Sequence, residues 1–344
     1  MESTRMKGFA ARLRTAAALF AALALALPAA AEEKPTPTPH PTRPPLVTEE
    51  PAPDPEMPER DEEGFLAEED GEFIYENEED GIWIYLGPTL QVAIHRYRDA
   101  SIPLIWFETD IRTRGEERLR TVMTDPDRPG YGFEFPYTIA KNEQFVLGFS
   151  DDYYAERMRL LREKKSTDPV GIIIREGQMI SEKTYKKRNS KLPNLDMMIQ
   201  YPDGRLEVCE CWEHTAEELL EAGAVNVFSF GPILIRDGVI NEQMYSGYYR
   251  STEPRHALGM IEPGHYLLIS VQGRKEKDSK GTMLQRVAEM MLEKGVTQAL
   301  NLDGGNTMAL VFRGKMLNKQ ALYQGRKFVR SVTSLIGVGK TEIP

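Results

Sequence analysis

Residues 299–308 read Ala299-Leu300-Asn301-Leu302-Asp303-Gly304-Gly305-Asn306-Thr307-Met308, and the fold is organised around how this stretch is read. An apolar run delivers an Asn and an Asp into a Gly-Gly pair, and a second apolar run, 308–312, leaves it. The pattern predicts a short buried strand, a sharp turn and a further strand. Two glycines let the backbone turn tightly and let a ligand come close. A carboxylate beside such a turn is a common way to present a binding or catalytic group. The same letters also describe a plain hairpin corner whose Asp caps the turn. The neighbouring sequence has to separate the two readings.

Upstream, residues 282–295 predict a helix. Thr282 is the expected N-cap with Gln285 three positions on, Leu284, Val287, Ala288, Met291 and Leu292 share one face, and Gly295 is the stop. Before it, apolar runs at 256–261 and 266–271 flank Glu262-Pro263-Gly264-His265 and predict a hairpin. Pairing Ile261 with Tyr266 puts Arg255 opposite Gln272, next to Gly273-Arg274. A strand, a helix and a returning strand at 298–302 predict a parallel crossover. Asn301 and Asp303 then emerge at the same sheet end as Arg274, beyond the carboxyl ends of strands, where ligands bind. Arg255, Arg274, Asn301 and Asp303 are therefore expected to meet. Two guanidiniums beside a carboxylate suit an anion, phosphate above all, because of the planar donor fork of Arg. A structural salt-bridge cluster is the competing reading. His256 follows Arg255 on a strand, so it faces the other way and is expected to be packed. Five scattered histidines and no ligand-spaced Cys or His argue against a zinc site.

Other strands are expected at 82–86, 90–95, 104–107, 144–149, 171–175, 178–180, 197–201, 205–211, 233–236 and 239–240, with a polar, irregular stretch up to residue 131. Glu176-Gly177, Asp203-Gly204 and Asp237-Gly238 lie between apolar runs, and acidic-Gly pairs tolerate the positive φ of tight hairpins. Thr215-Ala216-Glu217-Glu218 has the letters of a capping box, and the charged segment 155–165 is expected to be helical. Cys209 and Cys211 would share a strand face, where a disulfide is strained, and are expected to pack as thiols. The fold class expected is α+β, a mixed, largely antiparallel sheet with flanking helices in one domain.

The first 31 residues carry a basic start (Arg5, Lys7, Arg12, Arg14), an apolar core and Ala29-Ala30-Ala31, the marks of a secretory signal peptide. The apolar run is shorter than the about 20 residues of a membrane span. Residues 32–80 are expected to be a disordered linker. Ten prolines lie between 34 and 58, and 59–80 holds twelve acidic residues and one basic, compositions that cannot bury a core. That acidic run carries −11 against a net charge of −10 for the whole chain, so the remainder is close to neutral. Residues 81–344 are left as one domain. The protein is expected outside the cytoplasm, in the cell envelope or secreted, without stable membrane insertion after signal cleavage, a nucleic-acid partner or a cofactor.

Five segments together, Pro254-Arg255-His256-Ala257-Leu258-Gly259, Val271-Gln272-Gly273-Arg274, Asn301-Leu302-Asp303-Gly304-Gly305, Ser229-Phe230-Gly231-Pro232 and 148–154 with its Asp152-Tyr153, resemble the phosphodiester glycosidase family over roughly residues 144–339. The resemblance implies a hydrolase that splits a sugar 1-phosphodiester, of the N-acetylglucosamine-1-phosphodiester type or an envelope glycopolymer, into sugar and phosphomonoester. It implies a catalytic carboxylate at Asp303 or Asp152, and Arg255, Arg274, Asn301, Ser229, Gly304 and Gly305 as substrate-binding positions; no metal ligand is expected. The chain departs from the family at Asn306-Thr307-Met308, where a further Gly and Ser residues are usual, at His256, and at Phe149-Ser150-Asp151. Two other functions fit the residues: a non-catalytic module binding an anionic glycan, and a metal-dependent phosphoesterase cutting the other side of the phosphate.

Overall fold

The computed structural model describes residues 46–49, 52–127, 132–151, 171–183, 195–274, 277–323 and 325–343. The expected signal peptide and the helix expected at 155–165 lie outside them. Most regular structure in these residues is antiparallel sheet, with three short helices: α1 (Pro136–Asn142), α2 (Ala216–Glu221) and α3 (Leu284–Glu293). The expected largely antiparallel sheet with flanking helices is present, with the balance mostly β. The β-branched and aromatic runs that predicted strands are dense, whereas the described helical segments are only 7, 6 and 10 residues long.

The largest sheet has nine strands. In spatial order they are β1 (Phe73–Asn77), β2 (Ile82–Leu86), β3 (Leu90–Arg98), β4 (Ile105–Thr113), β15 (His265–Val271), β14 (Arg255–Glu262), β16 (Gln298–Leu302), β12 (Ile233–Arg236) and β13 (Val239–Ile240). A second sheet runs β10 (Leu206–Cys209), β9 (Asp196–Gln200), β11 (Asn226–Phe230), β7 (Gly171–Arg175), β8 (Gln178–Lys183). A third runs β18 (Lys315–Met316), β17 (Leu310–Phe312), β6 (Leu147–Phe149), β21 (Ser334–Val338), β5 (Arg120–Met123), and β19 (Leu322–Tyr323) with β20 (Arg326–Lys327) makes a separate hairpin. The Glu176-Gly177 and Asp237-Gly238 turns have positive φ at both residues, the conformation that fits the twist of two-residue hairpins.

Side chains alternate between the two faces of a strand, and each face of the nine-stranded sheet carries apolar clusters. On one face Trp83, Phe107, Leu258, Leu268 and Leu300 join Met198, Phe228, Phe149 and Phe312 of the other two sheets in one core. On the opposite face α3 buries Leu284, Val287, Ala288 and Met291 against Ala257, Ile269 and Ala299. Helix α3 does not reach β1–β3. There Leu66 packs on Ile82, Ile84 and Leu86, with Ala52 and Met57 alongside.

The acidic segment expected to be disordered is thus part of the fold over much of its length. It supplies β1, fully paired with β2, and Phe65 and Leu66, both almost wholly buried. Most of its charged residues are exposed, and Asp61 accepts from the backbone of Glu63 and Phe65 and from Arg114. Composition hid this because a few apolar residues among many acids suffice to cover one strip of sheet.

Local expectations shift in three places. A bulge near Ile261 moves the β14–β15 register by one, so Arg255 faces Val271 rather than Gln272. Thr282 does not cap α3, whose N-cap is Met283 without a side-chain bond. Instead Thr282 exchanges backbone bonds with Glu253. Leu292 lies 38% exposed, and Met290 takes the buried place. The capping box of Thr215 and Glu218 is present on α2, and Cys209 and Cys211 are free buried thiols, held up at about 12 and about 11 by burial first. Among the described residues no helix is long and apolar enough to cross a membrane.

Leu66→Ala distinguishes a packed segment from a loose leader. Loss of a buried Leu costs about 2–4 kcal/mol, read as a lower urea midpoint, whereas a change in a disordered segment stays within about 0.5 kcal/mol.

Candidate functional site

Strands β15 and β16 both pair antiparallel with β14, which lies between them. They run in the same direction, as the crossover reading requires, although they are not hydrogen-bonded neighbours. Arg274 after β15, Asp303 after β16 and Arg255 at the start of β14 consequently share one end of the sheet.

The backbone at Glu253-Pro254 is wedged among glycines from three segments. A Cβ on Gly304 would stand 2.5 Å from the Pro254 carbonyl oxygen, one on Gly273 2.8 Å from the Pro254 nitrogen, and one on Gly281 2.4 Å from the Glu253 carbonyl. A Cβ on Gly305, at φ 59°, would lie 3.5 Å from Arg274 Nη1. The Gly-Gly pair thus fits between the root of Arg255 and the head of Arg274. It is no hairpin corner, because the strand that follows, β17, pairs with β6 in another sheet.

Arg255 is held by Nε donating to the Thr282 carbonyl at 3.1 Å and Nη2 donating to the Ser251 carbonyl and hydroxyl at 2.7 and 3.2 Å. Arg274 donates from Nε to Glu253 at 2.8 Å and from Nη1 to Asn306 Oδ1 at 3.0 Å. Among the described residues Nη1 of Arg255 and Nη2 of Arg274 have no hydrogen-bond partner. Burial pulls the Arg255 guanidinium down to about 10, Glu253 opposes this, and neighbouring Arg274 adds to it. The site therefore holds two nearby cations, one of them largely desolvated, and open N–H donors on each.

Asp303 is half-buried, and its N–H donates to the Asp151 carbonyl at 3.3 Å. The Asp151 carboxylate is itself buried, accepting from Arg175 at 3.4 Å and from the Ser334 hydroxyl, so the third sheet fixes the backbone beside Asp303. Asn301 is 4% exposed; its Nδ2 donates to the Gly231 carbonyl at 2.9 Å, while Oδ1 has no partner among the described residues. Ser229 is buried within β11 and donates its hydroxyl to the Ile172 carbonyl, which commits its one proton. Asp152 lies outside the described residues.

A profile of the phosphodiester glycosidase family matches residues 147–339, more than half of the 344 residues. The chain belongs to the phosphodiester glycosidase family. Among solved structures it is similar to the catalytic domain of zebrafish N-acetylglucosamine-1-phosphodiester alpha-N-acetylglucosaminidase, auto-inhibited by its pro-peptide. The TM-score is 0.55 at 18% identity, over 74% of this chain and 85% of that one, a likeness of fold. A hypothetical protein from Synechocystis gives a TM-score of 0.48 at 14% identity, over 73% of this chain and 62% of its own. The SPbeta prophage-derived uncharacterized protein YomE of Bacillus subtilis (strain 168) is 29% identical over 120 residues, 34% of this chain. This chain matches only 18% of that relative's length.

In this member of the family, Arg255, Arg274, Gly304, Gly305 and Asp303 come to one end of the sheet, and Asn301 lies two residues before Asp303 on β16. Sequence reasoning missed Glu253 and Asn306, which orient Arg274. A carboxylate two residues before Arg255 was a legible signal; Asn306 was read only as a departure from the family pattern. His256 is packed, wholly buried, with Nδ1 3.0 Å from Ser270 Oγ and its ring edge-on to Phe149.

Two measurements follow from this geometry. Ala at 304 would drive its Cβ into the Pro254 carbonyl, and such overpacking costs about 1–3 kcal/mol; Gly304→Ala is expected to lower the melting temperature and weaken anion binding together. Burial holds His256 down at about 3, against an ordinary 6.5, with the Ser150 backbone opposing. The unfolded chain then takes up a proton below pH 6.5 that the native state refuses. The His256 contribution is complete above pH 6.5 and declines as pH falls towards 3, by up to about 1.4 kcal/mol per pH unit. Urea midpoints measured from pH 6.5 to 4 should fall less steeply in His256→Gln than in wild type.

Proposed function

We propose that the protein is an extracytoplasmic glycosidase that hydrolyses a sugar 1-phosphodiester at the bond between the anomeric carbon and the phosphate oxygen. The observation that carries the reading is the pair of anchored arginines with open N–H donors set against the Asp303 turn. In this reading Arg255 Nη1 and Arg274 Nη2 grip the non-bridging phosphate oxygens. Anchoring at Thr282, Ser251, Glu253 and Asn306 means little side-chain ordering remains to be done on binding. The leaving phosphate monoester is a stable anion, so it needs little protonation. The developing positive charge at the anomeric carbon is stabilised by the Asp303 carboxylate, which also orients or activates the attacking water. Water adds to the sugar and the phosphate keeps its second ester. Asp152 supplies the second carboxylate that the family pattern implies, and the orphaned Oδ1 of Asn301 accepts a hydrogen bond from a sugar hydroxyl.

The name of the zebrafish relative supports an N-acetylglucosamine-type sugar. The basic, apolar and small-residue succession in residues 1–31 supports export. Asp303→Asn is expected to reduce turnover of an N-acetylglucosamine 1-phosphodiester by a factor of at least about 10³, on the scale of a lost charge-stabilising group, while the melting temperature moves by less than about 2 °C. Product analysis decides the reaction. Free sugar plus phosphomonoester supports the glycosidase; sugar 1-phosphate plus alcohol, abolished by a chelator, would identify a phosphoesterase; binding with no product would identify a glycan-binding module.

A further inference from the structure

We infer that the β19–β20 hairpin is an extension subsite for further phosphates of a polymeric substrate, so that the enzyme takes a poly(sugar phosphate) chain in preference to a single small diester. This inference rests on the glycosidase reading of the site and names the substrate class for it.

The 37 residues from Gly304 to Lys340 contain seven Lys and Arg and no Asp or Glu, in a chain of net charge −10. Two of the seven, Arg313 and Lys315, are paired with Glu76 at 3.0 and 2.7 Å. Arg330 donates from Nη1 to the Thr307 hydroxyl at 2.7 Å, directly beyond the Gly-Gly turn. Lys319, Arg326 and Lys327 are exposed, and among the described residues none of the three has an acidic group within ion-pair distance. Phe328, next in the chain, is 40% exposed.

This basic strip is tied to the site through one side chain. Asn306 accepts from Arg274 on Oδ1 and donates from Nδ2 to the carbonyl of Ala321 at 2.7 Å, the residue before β19. The hairpin is thereby held beside the two arginines. A lone phosphodiester brings one negative charge, and Arg255 with Arg274 already answers it. Further cations outside the pair gain nothing from such a substrate but gain from each additional phosphate within about a Debye length, 10 Å at 0.1 M salt.

The test uses the full chain and two probes: a ten-repeat poly(N-acetylglucosamine 1-phosphate) and the methyl diester of N-acetylglucosamine 1-phosphate. Wild type is expected to show a kcat/KM on the polymer about tenfold above that on the diester, and the Arg326→Gln, Lys327→Gln double variant to lose that ratio, on the scale of two partly screened charge contacts. Polymer affinity is measured separately by titration calorimetry in the Asp303→Asn background. There the double substitution should weaken Kd about tenfold and flatten its salt dependence. Equal losses on both probes would overturn the subsite, as would an unchanged polymer Kd. Equally tight binding of a single-stranded oligonucleotide would overturn it too, showing an indiscriminate polyanion surface. If neither probe is turned over, the glycosidase reading fails while the calorimetric comparison still decides the subsite.

Discussion

A nine-stranded sheet with apolar clusters on both faces must be covered over those clusters on both sides, and this constraint organises the molecule. One face is closed by the second and third sheets. The other is closed in two parts, by α3 over β14–β16 and by the arm carrying Leu66 over β1–β3. The covering also dictates the site. A helix that packs on the face between β15 and β16 carries the chain back to the end of the sheet where β15 began, so β16 runs parallel to β15. The last residues of β15 and β16 therefore finish at the same end of the sheet, one on each side of β14, which brings Asp303 towards Arg274.

What makes that end of the sheet a site is the lack of room around Glu253-Pro254. Gly273, Gly281 and Gly304 close in on two residues of backbone, so Arg255 leaves a fixed root. Glu253 from the same wedge and Asn306 from beyond the turn then hold Arg274. Desolvation of one guanidinium and its proximity to the other raise the energy of the empty site, and an incoming anion relieves both. On the far side, the buried Asp151–Arg175 pair anchors the backbone that receives the Asp303 N–H.

Much of this was legible in the sequence because short-range rules govern it. Acidic-Gly turns, period-two apolar runs and the Thr215 capping box found hairpins and a helix at nearly their observed limits. The convergence of Arg255, Arg274 and Asp303 followed from hairpin and crossover logic alone. The failures all needed tertiary knowledge. The bulge near Ile261 cannot be seen in the letters, and Thr282 abandons its cap because Glu253 offers a backbone partner. Phe65 and Leu66 looked lost among acids, since a strand cannot announce which strip of a distant sheet lies uncovered. Asn306 read as a defect in a Gly-rich motif, yet it is the clamp between Arg274 and the β19 approach.

The family match begins at residue 147, whereas the nine-stranded sheet begins at Phe73. A fragment trimmed to the matched limits would keep every residue of the described site and lose β1–β4. Strand β15 would then face solvent along the whole edge on which its seven residues pair with β4. An open edge of that length, flanked by Leu267 and Ile269 stripped of their neighbours, is a template for intermolecular sheet growth. The family match marks residues 147–339, while the strand that covers the β15 edge lies in front of them.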